Sequence, residues 1–162
     1  PTHNAAAGIG LALAKVSKAF HSENAPAKML NAMAFSGFNA GNAAPNGWLS
    51  QHVAIVAQYN ADPLCGFLFT TNGFINLFKL QKNAFDKRGW TVNNPALLIF
   101  LIAGEDDPVI RSGRKFDELG QFLTEVGYAG IRSRLYEHMR HEILNETDRQ
   151  TVYRDVLDFL NN

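Results

Sequence analysis

An unbroken apolar run over residues 96–103, Ala-Leu-Leu-Ile-Phe-Leu-Ile-Ala, constrains the fold more than any other part of this sequence. It follows Pro95 and has the length of one β-strand. Continuous rather than alternating hydrophobicity is typical of a strand that is buried on both faces, as in a parallel sheet covered by helices. We therefore expect this strand to lie inside an α/β domain and to need neighbouring strands.

The segments after this run alternate between helix and strand. The next one has apolar residues at helical spacing: Phe116, Leu119, Phe122, Leu123 and Val126. Gly127 is placed as its C-terminal cap, and residues 131–136 then alternate as a half-exposed strand near the sheet edge. A closing helix is predicted to bury Val152, Val156, Phe159 and Leu160. This order is typical of a β-α-β-α unit of a doubly wound sheet, so the predicted fold class is α/β.

The first half of the chain has a different character. Residues 1–85 contain five lysines and two acidic residues, whereas residues 86–162 contain ten basic and thirteen acidic residues. Four helices are predicted in this half: residues 5–20, a segment that starts at Pro26, a segment around 49–56, and residues 70–81. In the first helix, one apolar stripe is formed by Ile9, Leu13, Val16 and Phe20. The predicted organisation is a helical region over 1–85, a polar linker over 86–94 and an α/β portion over 95–162.

The composition excludes several classes of protein. The formal net charge is zero, which gives no indication of nucleic-acid binding. No run of 18 apolar residues occurs, so no transmembrane helix is expected. Cys65 is the single cysteine, which rules out an intrachain disulfide and fits a reducing compartment, so we predict a cytoplasmic location. We expect no metal and no cofactor.

Ionisable side chains follow both predicted strands. Asp106 and Asp107 come after the first strand, and His141 comes after the second, with His138 as an alternative. The carboxyl ends of parallel strands meet at one edge of a sheet, so the two loops should be neighbours. A carboxylate that orients a histidine is the arrangement that lets the histidine act as a general base for a serine. Taken alone, an acidic loop also serves to cap a helix, and a lone histidine is often satisfied by its local backbone.

Several segments, in order, resemble parts of one family: residues 59–64, 95–108, 136–146 and 152–160. Over residues 26–162 the chain resembles the second half of a monoacylglycerol lipase or lysophospholipase of the α/β-hydrolase fold, in the serine aminopeptidase-like group. The resemblance implies that Asp107 is the catalytic acid and that His141, which precedes Glu-Ile-Leu-Asn-Glu, is the catalytic base. It also implies a fold that is incomplete without an N-terminal half.

The nucleophile expected from this resemblance is missing. None of the six serines (Ser17, Ser22, Ser36, Ser50, Ser112 and Ser133) lies in a Gly-x-Ser-x-Gly sequence. The chain also begins at Pro1 without a methionine. We therefore expect it to be cut from something longer, with a companion polypeptide that carries the Gly-x-Ser-x-Gly elbow and the oxyanion hole.

In the family that the chain resembles, a helical cap is inserted between the nucleophile half and the acid-bearing strand. The resemblance implies that residues 1–85 are this cap and that its apolar face receives the acyl chain of a lipid ester. The candidate substrate-binding residues are Phe35, Phe38, Trp48, Leu64, Phe67, Phe69 and Phe74. The alternative interpretation is that each of these side chains only packs between the cap helices.

Two hypotheses of different classes follow. In the first, the chain is part of a serine hydrolase that cleaves monoacylglycerols or lysophospholipids, and Asp107 and His141 act with a serine from the missing half. In the second, the chain is a catalytically inert fragment that binds lipid or serves as a structural module. The presence of both Asp107 and His141 favours the first hypothesis, because a module without chemistry does not need them together. Peptide and epoxide substrates stay open, since the same fold supports many reactions.

Overall fold

The computed structural model describes residues 5–35 and 37–161 of the 162-residue chain. In chain order its main elements are α1 (Ala5–Phe20), α2 (Lys28–Phe35), α3 (Val53–Ala61), α4 (Thr71–Ala84), β1 (Leu98–Gly104), α5 (Gly113–Val126), β2 (Gly130–Tyr136) and α6 (Arg149–Leu160). Short 3₁₀ turns occur at Lys87–Gly89 and Ile143–Asn145. The predicted α/β class and the predicted order of helices and strands are confirmed.

The chain forms two compact units. The first, called the strand unit below, comprises Phe38–Cys65 and Val92–Asn162. The second, called the helical unit, comprises Thr2–Gly37 and Gly66–Thr91. The units do not follow chain order, because the segment that contains α3 belongs with the strands rather than with the other early helices.

The sheet of the strand unit consists of β1 and β2, paired in parallel from Leu98 opposite Gly130 to Gly104 opposite Tyr136. Parallel strands need a crossover connection, and α5 supplies it. Ser112 caps the start of α5 by accepting a hydrogen bond from the backbone of Lys115, and Gly127 ends the helix with a left-handed φ of 119°. Both ends of this β-α-β unit are thus fixed by local sequence signals.

The two helices that follow the strands pack on opposite faces of this sheet. One face buries Ala103 with Phe116 of α5. The other buries Tyr136 with Val152 of α6, which has no exposed surface. Successive strand residues point to opposite faces, so one strand serves both layers. Leu160 is 72% exposed, so the prediction that α6 buries it was wrong: in the last turn of α6 it is Phe159 that lies against the sheet, with its ring centroid 5.2 Å from that of Phe100.

Strand β1 is less buried than its sequence predicts. Leu98 is 49% exposed, and only Ala103 and Gly104 at the end of the strand are buried. The expectation of burial on both faces is therefore not met in the described chain. The reason is that β1 has a strand neighbour on one edge only, and two strands with two helices cannot enclose a seven-residue apolar strand.

The helical unit is built on close contact between α1 and α4. Ala14 and Phe74 are fully buried in its core, and the Phe78 ring lies so close to Gly10 that a Cβ there would be 2.6 Å from it. Small residues let the helices approach, so the buried side of α1 carries alanine and glycine. Three residues of the predicted apolar stripe are instead exposed by more than half: Ile9, Val16 and Phe20.

A short bridge connects the two chain segments of the helical unit. Pro26 pairs with Thr70 in an antiparallel bridge, and the backbone N–H of Ala27 donates to the carbonyl oxygen of Phe69 at 2.9 Å. The Thr70 side chain then caps α4 by accepting from the N–H of Gly73 at 3.0 Å. Among the described residues, none of the helices has both the length and the hydrophobicity to cross a membrane.

Candidate active site

The site begins where β1 ends, at a contact between two loops. The N–H of Asp106 donates to the carbonyl oxygen of Met139 at 2.9 Å, so the loop after β1 touches the loop after β2. Gly104 makes this contact possible, because a Cβ there would lie 2.2 Å from the carbonyl oxygens of both Met139 and Arg140. Only glycine leaves room for the second loop to cross so closely.

Asp107 is the aspartate that faces the histidine loop. It is 6% exposed, and its Oδ1 accepts from the N–H of Val109 at 2.8 Å. Its Oδ2 lies 2.9 Å from Nδ1 of His141. Asp106, the other candidate acid, is exposed. The structure thus brings Asp107 and His141 together.

His141 is held so that one ring nitrogen faces the carboxylate. A carboxylate only accepts hydrogen bonds, so Nδ1 carries a proton, and in the neutral imidazole Nε2 keeps its lone pair. The hydrogen bond to Asp107 raises the pKa of His141, burial works against this rise, and the charges of Asp107 and Glu142 add to it. His138, the alternative histidine, is exposed in a left-handed backbone conformation with φ of 59°.

An apolar cavity of about 260 Å³ opens beside this pair. Asp107 and His141 form its polar part. The rest is lined by Ile102, Ala103, Ile110, Phe116, Leu119 and Ile143. An apolar wall strengthens the electrostatic interaction of the pair, because little water competes for the carboxylate.

Two of the predicted substrate-binding residues lie next to the histidine. The Trp48 ring centroid is 5.1 Å from that of His141, and Phe38 makes an edge contact with Trp48 at 5.2 Å. The N–H of His141 is also 3.5 Å from the Trp48 carbonyl oxygen. Phe38, Trp48 and the imidazole of His141 thus form a series of ring contacts within the strand unit.

The other five predicted substrate-binding residues are placed elsewhere. Leu64 is in the strand unit and 79% exposed, while Phe35 and Phe67 are in the helical unit and 38% and 64% exposed. Phe69 is half-buried and links Phe67 to Phe74 through ring contacts of 5.8 and 5.6 Å. Phe74 is fully buried, so its ring forms part of the core of the helical unit rather than an accessible surface.

The sequence interpretation gave no role to Glu146, which is 2% exposed. Its carboxylate accepts from the N–H of Arg140 at 2.8 Å, from the N–H of Gln51 at 2.9 Å and from the Ser50 hydroxyl at 3.0 Å. No sequence pattern could have indicated this burial, because a glutamate in a polar turn is normally exposed. Its donors include a segment more than 90 positions away along the chain.

Neither a nucleophile nor a metal site is found within the described ranges. No serine described by the structure hydrogen-bonds to His141, and Ser50, on the neighbouring segment, is committed to Glu146 and Asn145. Likewise, in residues 5–35 and 37–161, no cluster of three or more His, Cys, Asp or Glu side chains could hold a metal ion.

Comparison with solved structures gives several matches of the same kind. A thermostable carboxyl esterase from Bacillus coagulans, in complex with glycerol, has a TM-score of 0.75 and 21% identity over 99% of this chain and 53% of that protein. A lipase in an open form has a TM-score of 0.74 and 24% identity over 95% of this chain and 50% of that one. A soluble variant of monoglyceride lipase from Saccharomyces cerevisiae, in complex with a substrate analog, has a TM-score of 0.52 and 21% identity over 74% of this chain and 42% of that one.

The chain spans about half the length of the first two of these structures. At such identities the likeness shows a shared fold. No curated protein sequence matches the chain significantly. The family model described as serine aminopeptidase, S33 matches residues 4–148, which is most of the chain. This protein therefore belongs to that family.

Proposed function

We propose that this chain supplies the acid and the base of a serine hydrolase that cleaves carboxylic esters of lipids. The observation that carries the proposal is the hydrogen bond of 2.9 Å between Asp107 Oδ2 and His141 Nδ1. It fixes the tautomer in which Nε2 can accept a proton, which is what a general base needs. Family membership and the likeness to esterases and lipases agree with this chemistry.

In the proposed mechanism, the nucleophile is a serine in a Gly-x-Ser-x-Gly elbow on an N-terminal half of the same hydrolase. His141 Nε2 takes the serine proton as the oxygen attacks the ester carbonyl, and the imidazolium then passes this proton to the leaving alcohol. The resulting acyl-enzyme is hydrolysed when His141 takes a proton from water. Asp107 stabilises the charged imidazole in both steps.

The proposed substrates are monoacylglycerols or lysophospholipids. The apolar cavity beside His141 and the aromatic pair Phe38 and Trp48 support a greasy acyl chain rather than a charged group. Two of the similar structures point the same way, since one is a carboxyl esterase with glycerol and one a monoglyceride lipase with a substrate analog.

Residues 1–85 are proposed to act as the cap of this hydrolase. Exposed apolar side chains such as Phe67 suit a role in acyl-chain binding, since they have no packing function in the core. The cytoplasm is the proposed location.

The proposal can be tested by combining this chain with the nucleophile half and treating the mixture with a fluorophosphonate probe, followed by intact-mass analysis. We expect the probe to label the serine of the other half, and His141→Ala in this chain to abolish labelling. An unlabelled mixture, or labelling that His141→Ala does not change, would contradict the proposal. Lipid binding without labelling would instead support the inert binding module.

A further inference from the structure

A buried carboxylate lies behind the histidine loop and does not take part in the proposed chemistry. The two oxygens of Glu146 accept hydrogen bonds from the backbone N–H groups of Arg140 and Gln51 and from the hydroxyl of Ser50. Hydrogen bonds to an ionised acceptor are about twice as strong as those between neutral groups. With 2% exposure, this carboxylate has little water to replace any lost donor.

These donors belong to two chain segments: the loop that carries His141 and the segment that lies beside it. Arg140 immediately precedes the histidine, and its N–H is the first group that Glu146 holds. The segment 48–51 lies alongside, where Trp48 and Leu49 accept from the N–H groups of His141 and Glu142 at 3.5 and 2.7 Å. Ser50 and Gln51, at the end of this segment, both donate hydrogen bonds to Glu146. A single carboxylate therefore links the histidine loop to the segment beside it.

Other contacts strengthen the same link. The Arg140 guanidinium donates to the carbonyl oxygens of Gly47 and Ser50, and the Gln51 side chain donates to the carbonyl oxygen of His138. The neighbouring segment is therefore bound from several points of the histidine loop. Glu146 differs from the other contacts because it is the acceptor shared by both segments.

We propose that Glu146 is a positioning residue: by holding Arg140 and the segment that ends at Gln51, it sets the place of the His141 backbone so that the imidazole meets Asp107. This inference rests on the proposed function for its catalytic meaning. The residue touches neither the imidazole nor the cavity, so its effect is transmitted through the backbone.

The chemistry of this site provides a graded set of variants. Glu146→Ala removes the acceptor and leaves three donors without it. Glu146→Gln keeps one carbonyl oxygen for the two backbone donors, and its amide can donate to Ser50, whose hydroxyl already has a second acceptor in the Asn145 carbonyl at 3.3 Å. Glu137→Ala is the matched control, because Glu137 is an exposed carboxylate in the same connection between β2 and α6.

The test uses nuclear magnetic resonance of the chain labelled with 15N-histidine, with the His141 signals assigned by a His141→Gln variant. Two features are followed well below the melting temperature: the downfield Nδ1–H proton shared with Asp107, and the pKa of the imidazole. Asp107 and Glu142 are the charged groups that act on this ring. Neither readout requires ester hydrolysis, so the result is independent of the probe experiment.

We expect Glu146→Ala to lose the downfield proton and to lower the pKa of His141 towards its ordinary value while the chain stays folded. Glu146→Gln and Glu137→Ala should keep both features. A folded Glu146→Ala variant with unchanged His141 signals would overturn the proposal, and so would a Glu146→Gln variant that loses them completely.

If Glu146→Ala does not fold, Ser50→Ala gives a milder test. This change removes one of the donors to the carboxylate and leaves both backbone donors in place. We expect a smaller shift of the His141 pKa in the same direction and a weakened downfield proton. A folded Ser50→Ala variant with wild-type His141 signals would then contradict the positioning role.

Discussion

Around His141 the strand unit is held by hydrogen bonds between loops, whereas the helical unit is held by apolar contact between α1 and α4. In the first, Gly104 lies against the carbonyl oxygens of Met139 and Arg140, which belong to rigid backbone. In the second, Gly10 lies against the Phe78 ring, which is a side chain that can rotate.

The difference matches what each unit is proposed to do. Proton transfer requires the imidazole to stand within hydrogen-bonding distance of its partners, so small displacements are costly. A surface for an acyl chain needs apolar area and adaptable side chains rather than fixed distances. Substitutions in each unit can test this contrast between a hydrogen-bonded site and an apolar, adaptable unit.

The largest effect is expected from Asp107→Asn in the reassembled enzyme. Loss of the carboxylate removes the group that holds the His141 tautomer, and kcat for ester hydrolysis should fall on the order of 10⁴-fold. The control is Asp106→Asn, an exposed neighbour whose kcat should stay close to that of the unmodified protein. Equal losses in both variants would show that the acid has been assigned to the wrong residue.

In the helical unit the largest effect should concern stability. Phe74→Ala deletes a fully buried ring, and the free energy of unfolding should fall by about 3–5 kcal/mol, measured by denaturant titration. Phe67→Ala removes an exposed ring and should change this free energy by less than about 0.5 kcal/mol. It should instead raise KM for long-chain esters more than for short ones, and an equal change for both chain lengths would argue against acyl-chain binding at Phe67.

Three glycine substitutions compare the two units directly. Gly104→Ala should be the most destabilising, by about 3 kcal/mol, since its Cβ meets two backbone carbonyl groups. Gly10→Ala should cost less, because the Phe78 ring can move, and Gly8→Ala should stabilise α1 by about 0.5–1 kcal/mol, since nothing lies near its Cβ. Melting curves of the three variants give the order. A Gly10 variant less stable than the Gly104 variant would reverse the proposed contrast.

The smallest predicted effect is a shift of a pH profile. The charge of Glu142 contributes to the raised pKa of His141, so Glu142→Gln should lower this pKa and move the acid limb of kcat/KM to lower pH. Glu137→Gln serves as the control and should leave the limb in place. A shift to higher pH in Glu142→Gln would contradict the stated electrostatics.

The same raised pKa has a consequence for stability. The folded state binds the histidine proton more tightly than the unfolded chain, so the pair contributes its full stabilisation below about pH 6.5, the ordinary pKa of histidine. This contribution disappears as the pH rises through the higher pKa of the folded state. In Asp107→Asn the dependence of stability on pH in this range should be flatter.

The sequence was sufficient for the order of elements. The apolar run ending at Ala103 identified β1, and Gly127 identified the end of α5, because strand hydrophobicity and a left-handed helix cap are properties of neighbouring residues. The apolar stripe that the sequence indicates on α1 was a poorer guide to burial. Close approach to α4 favours alanine and glycine on the buried side, so Ile9 is left exposed.

By itself, then, the sequence determined the α/β class and placed an acid and a histidine on consecutive loops. The tertiary structure showed that Asp107 and His141, the pair that the family resemblance implied, face each other, and that Glu146 is buried behind them. The local periodicity of apolar residues indicates which residues share a face of a strand or a helix. Which side chains meet across loops depends on how distant backbones cross, here at Gly104, and contacts 34 or 95 positions apart leave no periodic trace in the chain.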